Sequence, residues 1–265
     1  MKKIYFLLSI FVSSVFFVNS VFAATYHVAK KKLIKIPNNK VQALHVPILM
    51  YHHIVKRSVH EPYSVSPDVF DQQMNWLKQN DYQVVTYADF YQSMLKNKVL
   101  PKKSVVITFD DGDVDQYSAA WPILKKYHYS ALFYITTNFI GHRQWMDWKM
   151  LKELSTAGNM EIGAHTMSHP NLSKLSSEKQ WRELKISKDI LEKNLKTKIN
   201  FFAYPGGAHN TSTVALLQKA GYLSAVTTRH NVFHLPNENL YLVSRIHIDD
   251  DLPSFIQFVE GTRVN

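Results

Sequence analysis

The sequence of 265 residues contains no cysteine. This absence excludes disulfide bonds and thiolate metal sites, so any bound metal must be held by histidine, aspartate or glutamate. A G-x-S-x-G nucleophile elbow is also absent. Because the chain also lacks a thiol, the sequence gives no support for a hydrolase with a serine or cysteine nucleophile. After residue 23, no apolar run is long enough to cross a bilayer.

The first 23 residues have the pattern of an export signal. Lys2 and Lys3 precede an apolar run over residues 4–18, and the segment ending at Ala23 has the small-x-small form of a signal-peptidase site. We therefore predict an exported protein, periplasmic or extracellular, with cleavage near Ala23. An uncleaved membrane anchor is the alternative, although serines interrupt the run and it is short for a membrane span.

The chain is strongly basic, with a formal net charge of +10. Such a charge in a cytosolic protein would suggest a nucleic-acid partner, which we do not expect for an exported one. A basic surface outside the cytoplasm favours association with a membrane surface or an anionic cell-wall polymer, and the alternative is charge that only solubilises. Residues 24–45 contain a lysine cluster and no sustained apolar period, which predicts a basic linker or arm.

From Val46 onward, short apolar runs alternate with helical patterns, which is typical of parallel strands joined by crossover helices. One α/β domain over residues 46–265 is predicted, and a closed or nearly closed (β/α) barrel is favoured over an open sheet, which the pattern does not exclude. Active sites of such barrels lie at the carboxyl ends of the strands. The predicted strands are 46–51, 83–86, 104–109, 131–136, 160–164, 201–204, 224–228 and 241–247, and the predicted helices are 67–79, 87–96, 116–127, 148–156, 177–195, 211–220 and 252–260.

Two adjacent carboxylates follow one predicted strand. Ser104–Phe109 leads directly into Asp110 and Asp111, and Gly112 permits a tight turn there. Like charges this close repel each other, and a bound cation or a shared proton relieves the repulsion. An ordinary Asp-Gly turn with solvated carboxylates is the alternative.

Two histidines follow another predicted strand. Met160–Ala164 ends at His165, and His169 comes four residues later. On a turn of helix this spacing would place both imidazoles on one face, where they could bind a metal. Asp111, His165 and His169 together would supply three nitrogen and oxygen ligands and leave positions for water and substrate, as a catalytic metal site requires. Asp110 is then free to act as a base.

These residues resemble two motifs of the NodB-homology polysaccharide deacetylases, carbohydrate esterase family 4. Thr108-Phe109-Asp110-Asp111-Gly112 matches the family's T-F-D-D-G motif, and His165-Thr166-Met167-Ser168-His169 matches its H-[ST]-x-x-H motif. The resemblance implies a distorted (β/α) barrel of seven to eight strands. It also implies Asp110 as catalytic base and Asp111, His165 and His169 as ligands of a divalent metal, with zinc favoured and cobalt, nickel or manganese as alternatives.

The family's third motif, R-x-P-[YFW]-G, aligns with Ala203-Tyr204-Pro205-Gly206-Gly207, which lacks both the arginine and the aromatic residue. By resemblance, Arg245 is the candidate to orient the catalytic aspartate, and the backbone N–H of Gly206 is the candidate oxyanion donor. A backbone donor does not need the missing aromatic side chain.

The general acid of the family is a histidine of the fifth motif, and His247 in Val243–His247 is the candidate for this role. The segment Val46–His53 resembles the opening strand of the branch that contains exported poly-N-acetylglucosamine deacetylases. Both His52 and His53 could therefore lie near the site, although packed or surface histidines are equally compatible with the sequence.

The implied activity is removal of N-acetyl groups from an N-acetylglucosamine-containing polysaccharide, such as poly-N-acetylglucosamine or peptidoglycan. Exposed rings of Tyr204 and Trp145 could stack on sugar faces, whereas Trp148 is more typical of a core residue. An O-acetyl polysaccharide esterase and an inactive polysaccharide-binding barrel are the alternatives. We expect a monomer.

Overall fold

The computed structural model describes residues 45–56, 63–96, 99–231, 233–234 and 239–261. The predicted signal over 1–23, and all but the last residue of the predicted linker over 24–45, lie outside the described residues. Among the helices that are described, none is both long and apolar enough to cross a membrane.

A closed ring of parallel strands forms the centre of the fold. The strands of the described residues, in chain order, are β1 (His45–Val46), β2 (Ile48–Tyr51), β3 (His53–Ile54), β4 (Ser64–Val65), β5 (Gln83–Val84), β6 (Ser104–Phe109), β7 (Ala131–Ile135), β8 (Met160–Ala164), β9 (Phe201–Ala203), β10 (Ser224–His230), β11 (Phe233–His234) and β12 (Val243–His247). Seven of them pair in the order β2-β12-β10-β9-β8-β7-β6, and β6 pairs back to β2. The short β5 adds to the start of β6. The predicted barrel is therefore confirmed.

Helices connect the barrel strands and begin and end close to the residues that the sequence predicts. Their bounds are α1 (Pro67–Gln79), α2 (Tyr87–Lys96), α3 (Trp121–Tyr127), α4 (Trp148–Thr156), α5 (Ser177–Leu195), α6 (Thr211–Ala220) and α7 (Leu252–Glu260). Side chains of Ser66 and Ser176 cap α1 and α5 by accepting backbone hydrogen bonds, and Gly221 ends α6 with a left-handed φ of 82°. The one difference in type is the predicted helix over 116–127, which begins as a π-helical turn over Gln116–Ala120.

Several barrel strands are buried along their whole length. In β6, for example, every residue is buried. Continuous apolar runs of this kind are typical of parallel strands covered on both faces. The same interior nevertheless contains an ion pair, because Arg245 on β12 is 0% exposed and Asp110 is 1% exposed. Burial of charges is costly unless they are paired and hydrogen-bonded. This end of the barrel therefore departs from ordinary core packing.

Candidate active site

The carboxyl ends of four barrel strands carry the ionisable residues of the site. Asp110 and Asp111 follow β6, and His165 follows β8. His52 follows β2, and His247 is the last residue of β12. Since all seven strands are parallel, these residues share one end of the barrel.

Asp111, His165 and His169 form a compact three-residue cluster. The Oδ1 atom of Asp111 lies 3.4 Å from Nε2 of His165 and 3.3 Å from Nε2 of His169. One ligand atom from each residue lies within 4.8 Å of the others, an arrangement that can hold a metal ion. The two histidines differ in exposure: the His165 side chain is 2% exposed, whereas that of His169 is 38% exposed. One side is thus closed by protein and the other is open to ligands.

The turn that carries the two histidines is not helical. Thr166 and His169 have left-handed φ values of 67° and 57°, and no helix spans residues 165–169. The expectation that a turn of helix places both imidazoles on one face is therefore wrong, although the imidazoles do converge. Left-handed backbone is costly for residues other than glycine, and such conformations cluster at functional sites.

Hydrogen bonding of His165 favours a cation in the cluster. Its Nδ1 atom lies 2.8 Å from the carbonyl oxygen of Ala203, so Nδ1 carries a hydrogen and donates it. In the neutral ring, Nε2 then has only a lone pair, and it faces the carboxylate of Asp111. Two acceptors face each other in this way only with a proton or a cation between them. The three side chains therefore fit a divalent metal.

Burial and neighbouring charges shift the pKa values of the three cluster residues in different directions. Burial opposes ionisation of Asp111, but the hydrogen bond and charge of His165 outweigh it and hold the pKa of Asp111 well below its ordinary value. Burial lowers the pKa of His165, but Asp111 and Asp110 together raise it above the usual value. Burial and then the neighbouring His165 lower the pKa of His169. The site therefore presents a strong negative charge next to the imidazoles.

Asp110 is held by Arg245 in a two-point ion pair. Nη1 of Arg245 donates to Oδ1 of Asp110 at 2.7 Å, and Nη2 donates to Oδ2 at 2.6 Å. The guanidinium also donates to the Thr227 carbonyl and to Oγ1 of Thr108. Burial opposes ionisation of Asp110, but the charge and hydrogen bonds of Arg245 lower its pKa below the ordinary value. Asp110 is thus an oriented, ionised carboxylate beside the cluster of Asp111, His165 and His169.

His52 and His247 form a second pair of imidazoles at the same end of the barrel. Their ring centroids are 6.1 Å apart. Tyr63, which is 54% exposed, contacts both rings. Nδ1 of His52 and Nε2 of His247 are buried and have no hydrogen-bond partner among the described residues. Tyr63 is missing from the sequence-based set, because no motif or spacing connects it to the site.

The two imidazoles differ in their electrostatic neighbours. Burial lowers the pKa of His52 to about 4, against the opposing charges of Asp110 and Asp111. Burial also lowers the pKa of His247, whose charged neighbours are Asp249 and Arg245. His52 is therefore the imidazole that is coupled to both aspartates.

Gln116 connects the ends of β2 and β6. Its Nε2 atom donates to the backbone carbonyls of Asp110 at 2.5 Å and His52 at 3.0 Å. The residue begins the π-helical turn, a deviation that is frequent at functional sites. Gln116 thereby fixes the backbone of Asp110 relative to that of His52.

A cavity of about 830 Å³ opens beside the cluster and includes Asp111 and His169 in its wall. Trp145 lies on this wall and packs against Phe139, with ring centroids 4.7 Å apart. The cavity thus extends from Asp111 and His169 to a partly exposed aromatic side chain.

His53 lies on the wall of the same cavity. Its Nδ1 atom is 3.3 Å from Oδ2 of Asp115, and Oδ1 of Asp115 accepts a hydrogen bond from the backbone of Ile54. Asp115 therefore fixes the segment that follows β2. His53 belongs to this contact and is not part of the cluster of Asp111, His165 and His169.

Two residues of the third motif occupy different environments. Tyr204 is 0% exposed and donates its hydroxyl hydrogen to the Tyr241 carbonyl. The expectation that it stacks on a sugar is therefore wrong, because its ring lies in the core. Gly206 is exposed on the turn Pro205–Gly207 and has a left-handed φ of 56°. This turn follows β9, whose last carbonyl receives the hydrogen bond of His165.

Comparison with known proteins agrees with this geometry. The polysaccharide deacetylase family matches residues 97–225. A poly-beta-1,6-N-acetyl-D-glucosamine N-deacetylase of Staphylococcus aureus (strain MRSA252) is 36% identical over 202 residues, which cover 71% of this chain and 69% of the relative.

Solved structures show the same fold. Deacetylase PplD of Streptococcus pyogenes, determined in complex with acetate, superposes with a TM-score of 0.76 at 33% identity, covering 81% of this chain and 97% of that structure. IcaB of Ammonifex degensii superposes with a TM-score of 0.74 at 26% identity, covering 83% and 97%. The chain therefore belongs to the polysaccharide deacetylase family of NodB type, carbohydrate esterase family 4, and is an enzyme of that family.

Proposed function

We propose that this enzyme is a metal-dependent N-deacetylase of an N-acetylglucosamine-containing polysaccharide. The observation that carries the proposal is the convergence of Asp111, His165 and His169 beside the Asp110–Arg245 ion pair. A three-ligand set with an open side is typical of catalytic rather than structural metal sites. An adjacent ionised carboxylate supplies the base that amide hydrolysis needs.

Asp111, His165 and His169 would hold a divalent ion, for which zinc is the favoured candidate and cobalt, nickel and manganese are alternatives. When bound, the ion would polarise the acetyl carbonyl and make hydroxide available near neutral pH. The Ala203 carbonyl keeps His165 in the tautomer whose Nε2 can bind a metal.

Asp110 is the proposed general base. Its two oxygens are oriented by Arg245, and each carboxylate oxygen has a further lone pair for a water proton. Because its pKa is lowered, Asp110 is ionised and can accept that proton across the neutral range. The Gly206 N–H is the proposed donor to the oxyanion of the tetrahedral intermediate.

The proton donor to the departing amine is proposed to be one of the two facing imidazoles. His247 is the candidate from the motif. It is favoured over His52, because burial lowers the pKa of His52 to about 4 and leaves that ring without a proton to donate near neutral pH. Each ring has one buried nitrogen with no hydrogen-bond partner among the described residues, and a bound substrate group or water would satisfy it.

His247→Ala is expected to lower kcat by about 10²-fold or more, because loss of a general acid removes that much rate enhancement. His52→Ala, the comparison variant, should lower kcat less. Acetate release measured for both variants at saturating Zn²⁺ checks the assignment. The reverse order of effects would transfer the role to His52.

The proposed substrate class rests on the relatives and on the cavity. The Staphylococcus aureus relative is named for its action on poly-beta-1,6-N-acetyl-D-glucosamine, and the Streptococcus pyogenes structure contains acetate, which N-deacetylation would release. Trp145 on the cavity wall and exposed Tyr63 beside His247 are proposed to contact sugar rings. The enzyme is proposed to act after export, at a cell wall or membrane surface that attracts its basic chain.

Release of acetate from a panel of polymers tests the proposal. Zinc-loaded protein would be assayed on poly-N-acetylglucosamine, peptidoglycan, chitin oligomers and an O-acetylated polysaccharide. Acetate from an N-acetylated polymer, abolished by chelation and restored by Zn²⁺, is the expected result. Acetate from the O-acetylated polymer alone would identify an esterase. Binding without release from any polymer would identify an inactive binding barrel.

A further inference from the structure

Glu183 on α5 contacts the turn that carries the metal-binding histidines. Its Oε2 atom accepts hydrogen bonds from the backbone N–H groups of Met167 at 2.8 Å and Ser168 at 3.0 Å. Its Oε1 atom accepts from the Ser168 hydroxyl at 2.8 Å. The Glu183 carboxylate thus receives three hydrogen bonds from two of the three residues that separate His165 from His169.

This turn needs external support because its backbone is strained. Thr166 is β-branched and has a left-handed φ of 67°, a conformation that is rare for such residues. His169, the second candidate ligand, also has a left-handed φ. Conformations of this kind persist only where the surroundings determine them.

Other contacts hold the carbonyl groups of the turn but not the N–H groups of Met167 and Ser168. The Thr166 hydroxyl accepts a hydrogen bond from the His169 backbone, and the Thr166 and Met167 carbonyls accept bonds from the chain that follows β7. The N–H groups of Met167 and Ser168 both point to Glu183. Without its side chain, these two donors would turn to water and the strained backbone could relax.

We propose that Glu183 is a positioning residue, which holds the 165–169 turn in the conformation that brings His169 to Asp111 and His165. This role rests on the proposed metal-dependent function. Hydrogen-bond geometry, not charge, carries the effect. A glutamine could accept from both backbone N–H groups through its oxygen, while its NH₂ group donates to the Ser168 hydroxyl, which can also accept.

The test compares Glu183→Ala, Glu183→Gln and the matched control Glu178→Ala, which alters an exposed glutamate on the same helix. Zn²⁺ is titrated calorimetrically into each metal-free protein, and thermal unfolding in EDTA reports the stability of each fold. Glu183→Ala is expected to lower Zn²⁺ affinity by about 10- to 100-fold, as loss of a residue that orients ligands usually does. Glu183→Gln should bind Zn²⁺ nearly as wild type does, and Glu178→Ala should bind as wild type.

Activity separates positioning from a general loss of structure. At saturating Zn²⁺, Glu183→Ala should recover most of its kcat, because the ligands and Asp110 are intact. Unchanged Zn²⁺ affinity in Glu183→Ala, or equal losses in the alanine and glutamine variants, would overturn the proposal. A wild-type protein that binds Zn²⁺ but releases no acetate would overturn the proposed function and not the role of Glu183 in the turn.

Discussion

Asp110→Asn is expected to lower kcat for acetate release by about 10²- to 10⁴-fold, the usual contribution of a general base. An amide cannot accept the water proton, whereas its oxygen can still accept a hydrogen bond from Arg245. The three candidate metal ligands are unchanged in this variant. Zn²⁺ affinity measured by calorimetry should therefore stay close to that of the wild type.

His165→Ala is the contrasting variant. It removes a buried ligand and the contact with the Ala203 carbonyl, so both Zn²⁺ affinity and activity should be lost. Thermal unfolding of both metal-free variants ensures that each is folded at the assay temperature. Equal loss of Zn²⁺ affinity in the two variants would contradict the assignment of Asp110 as base and His165 as ligand.

The barrel and the three-residue cluster could be predicted because they depend on local patterns. Parallel strands buried on both faces produce short, mostly apolar runs. Every residue of β6 is buried, and in β8 only Glu161 is partly exposed. Residues that follow them must lie at one end of the barrel, whatever the loops do. Asp111 and His165 therefore meet as a consequence of topology.

The parts that could not be predicted depend on side-chain direction and backbone strain. The left-handed conformation of Thr166 has no signature in the sequence, so a helical turn was the natural expectation. Tyr204 follows a strand, as the site residues do, yet its ring lies in the core and its hydroxyl reaches Tyr241. Glu183 lies 15 residues beyond Ser168 on a helix, and only the packing of α5 brings it to the turn.

The pairing of Arg245 with Asp110 could be predicted only in part. The two residues are 135 positions apart, and the spacing of the chain does not connect them. Resemblance alone suggested Arg245. The structure supplies the physical reason, because β2 pairs with both β12 and β6 and so brings these two strands together at the point where the barrel closes.

Arg245→Met is expected to lower the free energy of unfolding by about 3–5 kcal/mol, because removal of one partner leaves the other charge buried and uncompensated. Asp110 is 1% exposed, so bulk water can do little to solvate its charge once Arg245 is removed. The Thr227 carbonyl and the Thr108 hydroxyl also lose their donor. Denaturant unfolding of the metal-free protein at neutral pH measures the change.

The pH dependence separates the charge effect from lost packing. In the wild type the pKa of Asp110 is lowered from 3.8, so its contribution to stability is present above that pH and is lost as the pH falls through the folded-state pKa. Without Arg245, burial alone raises this pKa, and ionisation then destabilises the fold as the pH rises through the new value. The stability difference between Arg245→Met and the wild type should therefore grow as the pH rises above 3.8.

Asp110→Asn in the Arg245→Met background completes a double-mutant cycle. It removes the buried charge that Arg245→Met leaves unpaired. The double variant should be more stable than Arg245→Met at neutral pH, and its stability difference from the wild type should change less with pH than that of Arg245→Met. If the losses in the free energy of unfolding of the two single variants added up in the double variant, with the pH dependence of Arg245→Met unchanged, the two side chains would not be coupled. In that case the guanidinium could not be what keeps Asp110 ionised in the barrel, and the assignment of Asp110 as a base oriented by Arg245 would fail.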